Sequence, residues 1–379
     1  MKKYLLIVSS TEIGGAERQA IRFASYLKDR GNPVTVLGFY KTGKVYELCE
    51  EECIKCEHIK IDWKIIPWVF KAINFFSRIG GRYIKWNGFV LAHYLRRSKA
   101  DICISYCATA NVLLGLSRSF YKGPKRIWYQ RDAGIFDFGN KAEQYAIQQF
   151  DVILANSISG SQWIKKTYGK DSIIIPNGVV MDNPKNNREV WRKRLDVTEN
   201  DILYIMVANL SSLKNHKILL EAWNEMKKMK EVDHKILAFA GRFDEQYESL
   251  SEYVRENELD EYIRFTGPVE DISGLLEACD ICIFGAKSEG SPNGIIEAEM
   301  VGLPVIATDL PEIREVVPES SWCYLFNNVL GDIIVKVNTM FNNPELRKNV
   351  GEENKRFATE KYSPDLNFAR IVEIAEKLK

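Results

Sequence analysis

The chain has 379 residues, 46% of them apolar, and a formal net charge of +1. That length and composition suit two ordinary domains with their own cores, and the near-zero charge offers no field for nucleic acid, so no nucleic-acid partner is expected. The longest uncharged run, Ile102 to Ser117, contains Ser, Thr and Asn and falls short of the roughly 20 apolar residues a bilayer requires. Lys2 and Lys3 precede only a short apolar run, Tyr4 to Ser10, with no cleavage site after it, so no signal peptide is read there. Eight scattered cysteines read as reduced thiols in a cytosol.

Tyr4 to Ser10 has the pattern of a buried strand, Thr11 to Gly15 that of a glycine turn, and a helix runs on to Arg30. Gly31 ends it, and Pro33 to Gly38 is the next strand. Strand, turn, helix and strand make the repeating unit of a parallel sheet. The turn, EIGGAER, is not a dinucleotide-binding glycine loop. Its adjacent Gly14 and Gly15 let a ligand come close to the backbone. A helix over Val45 to Cys53 follows, with Cys49, Cys53, Cys56 and then His58. This C-x3-C-x2-C spacing resembles the iron–sulfur motif of radical SAM enzymes, but Lys55 stands where those have an aromatic, and ordinary thiols are the reading retained.

Trp63 to Lys99 contains no Asp or Glu, yet interleaves bases with large aromatics, among them Trp68, Lys71, Phe75, Arg78, Arg82 and Trp86. Such a mixture suits the headgroup layer of an anionic membrane, where each Lys or Arg contributes about 1 kcal/mol. Further strands are read at Asp101 to Tyr106, Arg126 to Gln130, Asp151 to Asn156 and Ser172 to Ile175. YQRDAG, carrying Arg131 and Asp132, ends the second of these.

The turn Ile175 to Val179 and a polar stretch from Met181 to Asp201 separate the halves. A second series then begins: strand Ile202 to Ala208, helix Lys217 to Lys228, strand His234 to Ala240, helix Asp244 to Asn257 and strand Tyr262 to Thr266. A helix to Ala278 and strand Asp280 to Phe284 lead to EGSPNGIIEAEMVGLPVIATD, Glu289 to Asp309. Here Gly290, Ser291 and Pro292 form a loop, with Ser291 read as the helix cap. A short helix spans Asn293 to Val301, Gly302 closes it, and Pro304 starts a buried strand. Backbone amides between Ser291 and Gly294 face the positive end of that helix and suit a phosphate. Glu289 and Glu297, eight residues apart, are strong acceptors for sugar hydroxyls. The last stretch, Tyr362 to Lys379, is an amphipathic helix.

This Glu-x7-Glu segment resembles the donor-binding signature of glycosyltransferase family 4, the retaining, nucleotide-sugar-dependent enzymes of GT-B fold. The resemblance implies two doubly wound α/β domains facing each other across a cleft. The boundaries would be 1–180 on the acceptor side and 181–361 on the donor side, with helix 362–379 packed back on the first domain. It implies that Glu289 contacts the transferred sugar, that Glu297 contacts the ribose, and that the loop Gly290, Ser291, Pro292, Asn293 and Gly294 meets sugar and phosphates. Gly14 and Gly15 match the family's GGAE loop. Arg131 and Asp132 match residues near the reacting centre, and Pro268 and Val269 in FTGPVED match the nucleobase turn. Lys214 in VANLSSLKNH matches the cation set against the pyrophosphate. The family adds an Arg a few residues earlier, where this chain has Asn209, Leu210 and Ser211; Arg242 in AGRFDE is the candidate replacement.

The implied activity is transfer of a hexosyl or N-acetylhexosaminyl group from a nucleotide-sugar, UDP favoured, to a membrane-associated, lipid-linked glycan acceptor in cell-surface polysaccharide synthesis. The protein would be cytoplasmic and peripheral on the inner face of the membrane. With no DxD motif in the chain, no metal or other cofactor is expected. A nucleotide-sugar epimerase of the same fold and a non-catalytic sugar-nucleotide-binding protein remain as alternatives.

Overall fold

The computed structural model describes residues 1–9, 14–41, 43–59, 82–132, 134 and 139–378. The chain divides into two compact units, Met1–Gly178 with Pro364–Lys379, and Val179–Ser363. The first unit contains β1 (Tyr4–Ile7), α1 (Gly15–Asp29), β2 (Val34–Gly38), α2 (Lys44–Glu51), β3 (Lys55–His58), α3 (Arg82–Ser98), β4 (Ile102–Ser105), α4 (Ala108–Ser117), β5 (Lys125–Gln130), α5 (Lys141–Ile147), β6 (Val152–Ala155), α6 (Ile158–Tyr168) and β7 (Ile173–Ile174). Its strands lie in the order β3-β2-β1-β4-β5-β6-β7, all parallel, with Tyr4 registered between Val34 and Ile102. Sequences such as YLLI and ICIS are wholly buried because helices cover both faces of a parallel sheet and leave no polar face to alternate with.

The second unit runs α7 (Arg188–Arg194), β8 (Ile202–Val207), α8 (His216–Met229), β9 (Lys235–Ala240), α9 (Tyr247–Glu256), β10 (Ile263–Gly267), α10 (Ile272–Ala278), β11 (Ile281–Phe284), α11 (Asn293–Val301), β12 (Val305–Thr308), α12 (Pro311–Arg314), β13 (Leu325–Phe326), α13 (Leu330–Asn342) and α14 (Pro344–Lys361). The sheet order is β10-β9-β8-β11-β12-β13. In both sheets the chain starts in the middle, builds outward, then reverses, at β1/β4 and at β8/β11. Ligands bind such sheets at the carboxyl ends of the strands flanking that reversal.

The final helix, α15 (Pro364–Lys377), belongs to the first unit. Its Phe368 ring lies 5.3 Å from Phe23 and 5.4 Å from Tyr26. A Cβ on Gly178 would come within 2.6 Å of that ring, so only glycine fits in the turn there. Lys2 Nζ donates to the carbonyls of Ala375, Glu376 and Leu378 at 2.7, 3.1 and 3.2 Å, capping the negative end of the helix. The units divide at Gly178/Val179 and Ser363/Pro364, each two residues away from the sequence-based boundaries at 180 and 361. The reason is local: the Val179 amide donates to the Tyr362 carbonyl at 3.0 Å, and both side chains sit in the second unit's core.

Asp271 ties the polar stretch after Val179 to this core. Its carboxylate accepts from the Lys185, Asn186 and Gly274 amides, from Asn186 Nδ2 and from Trp191 Nε1, at 2.9 to 3.2 Å. Burial pushes its pKa up, but these donors outweigh burial and hold the carboxyl down at about 2. Asp271→Ala is expected to destabilise the second unit by about 2–4 kcal/mol, because several buried donors lose their acceptor at once; urea unfolding followed by Trp191 fluorescence measures this. Since the folded pKa is depressed, the ionised group stabilises fully above roughly pH 4, its unfolded value, and that contribution is lost as pH falls through about 2.

Candidate functional site

The reversal in the second sheet brings two loops together. After β8 the chain turns through Ser212–Lys214, passes Asn215 at φ +52° and enters α8. After β11 the Lys287 amide donates to the Leu213 carbonyl at 2.8 Å, fixing one loop against the other. Lys214 Nζ and Glu289 Oε1 then meet at 2.5 Å, with the ammonium 5.8 Å from the centre of the Phe284 ring. Glu289 is 4% exposed, whereas the Lys214 side chain is 26% exposed. Burial pushes the Glu289 carboxyl above its ordinary pKa; Lys214 opposes the shift, and the nearby Glu312 adds to it. The site therefore holds a carboxylate at a net cost in its surroundings, as functional acids often are.

The helix beyond Glu289, α11, starts where the sequence places it, but the cap differs. Pro292, at φ −73° and ψ 95°, is the N-cap in place of Ser291, because its carbonyl accepts the first helical bonds, from Ile295 at 3.1 Å and Ile296 at 3.3 Å. Proline has no N–H. The backbone N–H groups between Ser291 and Gly294 are thus those of Ser291, Asn293 and Gly294, with Gly290 completing the loop. A Cβ on Gly294 would stand 2.2 Å from the Val207 carbonyl oxygen, so the helix start lies directly on the end of β8. Glu297 is buried one turn along, on the same helical face as Asn293. Glu299 lies on the opposite face. It is wholly buried, with neither carboxylate oxygen hydrogen-bonded, and burial pushes its pKa well up against the pull of Lys361.

Arg242 belongs to the adjoining loop after β9. Its amide donates to Asn209 Oδ1 at 3.1 Å, and its carbonyl accepts from the Leu210 amide at 3.0 Å. Asn209 thus anchors the backbone of Arg242, whose guanidinium lies 3.5 Å from Asp244. A Cβ on Gly241 would sit 2.1 Å from the Ala208 carbonyl, so these two loops also touch backbone to backbone. Pro268 and Val269, after β10, line a cavity of about 600 Å³ together with Trp191, Arg194, Arg264 and Phe265. His216, at the start of α8, is buried with its ring 5.0 Å from Phe239, and burial, with Lys214 adding, holds its pKa down at about 4.

In the first unit Gly14 caps α1, and its amide donates to Glu17 Oε2 at 3.2 Å; Gly15 is the first helical residue. Glu17 also accepts from Cys107 Sγ at 3.6 Å. Burial pushes its pKa up, with Arg131 among the groups opposing. Arg131 lies over the Tyr129 ring at 4.7 Å with its Nε buried and unbonded. Asp132 Oδ1 accepts from Gln130 Nε2 at 2.7 Å and from the Gly134 amide at 2.8 Å. Sequence reading passed over Glu17, although its place three residues after Gly14 is that of a capping-box acid.

Trp68, Lys71, Phe75 and Arg78 lie outside the described residues, and Arg82 opens α3 with its side chain outside them as well. Trp86 stacks on Phe89 at 5.5 Å, and Phe89 meets Phe120 at 5.6 Å. Among the described residues no helix is long and apolar enough to cross a membrane, and no three His, Cys, Asp or Glu side chains gather as a metal site requires. Cys49 is buried, Cys53 exposed and Cys56 half-buried on the next strand.

Two family models match the chain, Glycosyltransferase Family 4 over residues 13–183 and Glycosyl transferases group 1 over residues 187–357. An uncharacterized glycosyltransferase of Haemophilus influenzae is 24% identical over 55% of this chain and 57% of its own length. The O-antigen biosynthesis glycosyltransferase WclY of Escherichia coli is 22% identical over 43% and 44%. The chain spans about half the length of the curated relatives it matches. Among solved structures, Anabaena HepE in complex with UDP and glucose is similar at a TM-score of 0.83 and 19% identity, covering 100% of both chains. Staphylococcus aureus TarM, in complex with UDP among other ligands, is similar at 0.75 and 13%, again covering 100% of both. The fold is the two-domain α/β architecture called GT-B.

Proposed function

Because the chain belongs to glycosyltransferase family 4, we propose that it transfers a hexosyl or N-acetylhexosaminyl group, with retention, from a nucleotide-sugar to a lipid-linked glycan at an anionic membrane surface. The observation that carries this reading is the Lys214–Glu289 pair, set across the strand-order reversal beside the start of α11. Lys214 and the amides of Ser291, Asn293 and Gly294 receive the diphosphate, so binding it requires no metal. Glu289 accepts hydroxyls of the transferred sugar and Glu297 those of the ribose, while Arg242 supplies a second cation in place of the family's missing Arg.

As the bond from sugar to diphosphate breaks, charge develops on the leaving phosphate, and Lys214 stabilises it. The acceptor hydroxyl then attacks from the same face, through an oxocarbenium-like state, and the leaving phosphate takes its proton. Arg131 and Asp132 position acceptor or sugar, near Gly14 and Gly15. UDP is favoured as carrier, in keeping with the UDP-bound structural neighbours. The O-antigen relative supports a role in cell-surface polysaccharide synthesis, and a lipid-linked acceptor fits that role. The basic aromatic segment from Trp63 to Lys99 is the part that meets the membrane, placing the enzyme on the cytoplasmic face.

The test is a panel of UDP-, GDP- and dTDP-sugars offered with and without a membrane lipid extract. Nucleotide release that requires the extract and labels a lipid supports the proposal. Epimerised donor without an acceptor, or no turnover of any donor, overturns it.

A further inference from the structure

We propose that Phe243 provides the face on which the donor's nucleobase stacks, a binding element of this chain that rests on the donor-site reading above. Phe243 follows Arg242 in the loop after β9 and is 46% exposed. One face of its ring is covered by Tyr247, stacked at 3.9 Å and 12°; with that face covered, the remaining exposure belongs largely to the other. The ring edge reaches the turn after β10, since a Cβ on Gly267 would lie 3.4 Å from Phe243 Cζ. The open ring is thereby held between the Arg242 backbone and the Gly267, Pro268 and Val269 turn.

The ring is also rigidly supported. Tyr247 meets Phe265 edge-on at 5.7 Å, Phe265 packs on Phe239 at 5.5 Å, and Phe239 meets the buried His216 at 5.0 Å. His216 opens α8, two residues after Lys214. This ladder of rings ties the position of Phe243 to the loop that carries the pyrophosphate cation. A flat apolar ring fixed at one end of a run of loops whose middle holds Lys214 and whose far end holds Glu289 matches the order base, diphosphate, sugar along a nucleotide-sugar. Aromatic stacking accepts any base through its π-face, so preference among bases then comes from the Pro268 and Val269 backbone.

Calorimetric titration of UDP, GDP and inorganic pyrophosphate into the full chain and into Phe243→Ala, Phe243→Leu and Phe243→Tyr tests this. Loss of one base stack weakens binding by roughly 5- to 150-fold. The expected pattern is that loss for the preferred nucleotide in the Ala and Leu variants, near-normal affinity in the Tyr variant, and pyrophosphate binding unchanged in all three. Circular dichroism and the pyrophosphate titration together report that each variant is folded. Unchanged nucleotide affinity in both Ala and Leu variants overturns the stacking role alone and moves the base into the cavity beside Arg194 and Arg264. Failure of the unsubstituted chain to bind any of the three probes overturns the donor-site reading itself.

Discussion

Glu289→Gln is expected to fold as well as the unsubstituted chain, or better, while transferring sugar at least about a hundredfold more slowly. The two effects come from one cause. The Glu289 carboxylate is 4% exposed, and burial raises its pKa despite Lys214 at 2.5 Å. Its surroundings therefore favour the protonated form, and the ionised form is held at a cost to stability near neutral pH. A neutral amide of the same size removes that cost. Lys214, with a quarter of its side chain exposed, can hydrate when the carboxylate is gone. Transfer falls because the amide is a weaker acceptor for sugar hydroxyls and cannot balance positive charge developing on the sugar ring.

The pH dependence has a definite sign. A carboxyl whose folded pKa is raised binds its proton more tightly folded than unfolded, so stability falls as pH rises through the folded value. The unsubstituted chain should show that fall, and Glu289→Gln should lack it. Calorimetric Tm measured from pH 4 to pH 8 on both proteins decides the matter. A variant several degrees less stable at pH 7, or one with normal transfer, contradicts the assignment.

Gly294→Val is expected to abolish donor binding and to destabilise the second unit by about 3 kcal/mol. The added Cβ would stand 2.2 Å from the Val207 carbonyl oxygen, far inside any tolerable contact, so the start of α11 must lift from β8. The other end of that helix resists the shift. Gly302 closes it at φ +92°, and a Cβ on Gly351 of α14 would lie 2.0 Å from the Gly302 carbonyl. Held at its far end, the helix must tilt, and the amides of Ser291, Asn293 and Gly294 lose their common direction. Urea unfolding and UDP titration measure the two effects. Native UDP affinity in a folded Val variant would show that those amides do not hold the diphosphate.

Much of this was legible in the residues themselves. Runs such as ICIF and VIAT could only be buried parallel strands, and Gly302 with Pro304 fixed the end of α11 and the start of β12. Lys214 and Glu289 were named separately, but their pairing depends on sheet order, which no local pattern carries. Ser291 was misread as the cap because it has the favoured side chain, while the carbonyl of Pro292 takes the role through backbone geometry. The helices Leu330–Asn342 and Pro344–Lys361 escaped notice: α14 meets α11 through the backbones of Gly351 and Gly302, a contact no side chain announces, whereas α13 carries a buried row, Ile333, Val337 and Met340, whose helical spacing was there to be read. Phe243 gave no signal because an exposed phenylalanine in a loop is ordinary. Its meaning comes from the Tyr247 ring beneath it and the Gly267 turn beside it.

The central claim, that the strand-end loops of the second unit seat a nucleoside diphosphate, is tested most directly by titrating UDP into the full chain and into Lys214→Ala at low ionic strength. The account predicts one UDP per unsubstituted chain and roughly 10- to 100-fold weaker binding when the ammonium is removed, the scale of a charge-assisted hydrogen bond. Equal affinity in the two proteins, or no binding of UDP, GDP or dTDP to the unsubstituted chain, would contradict it.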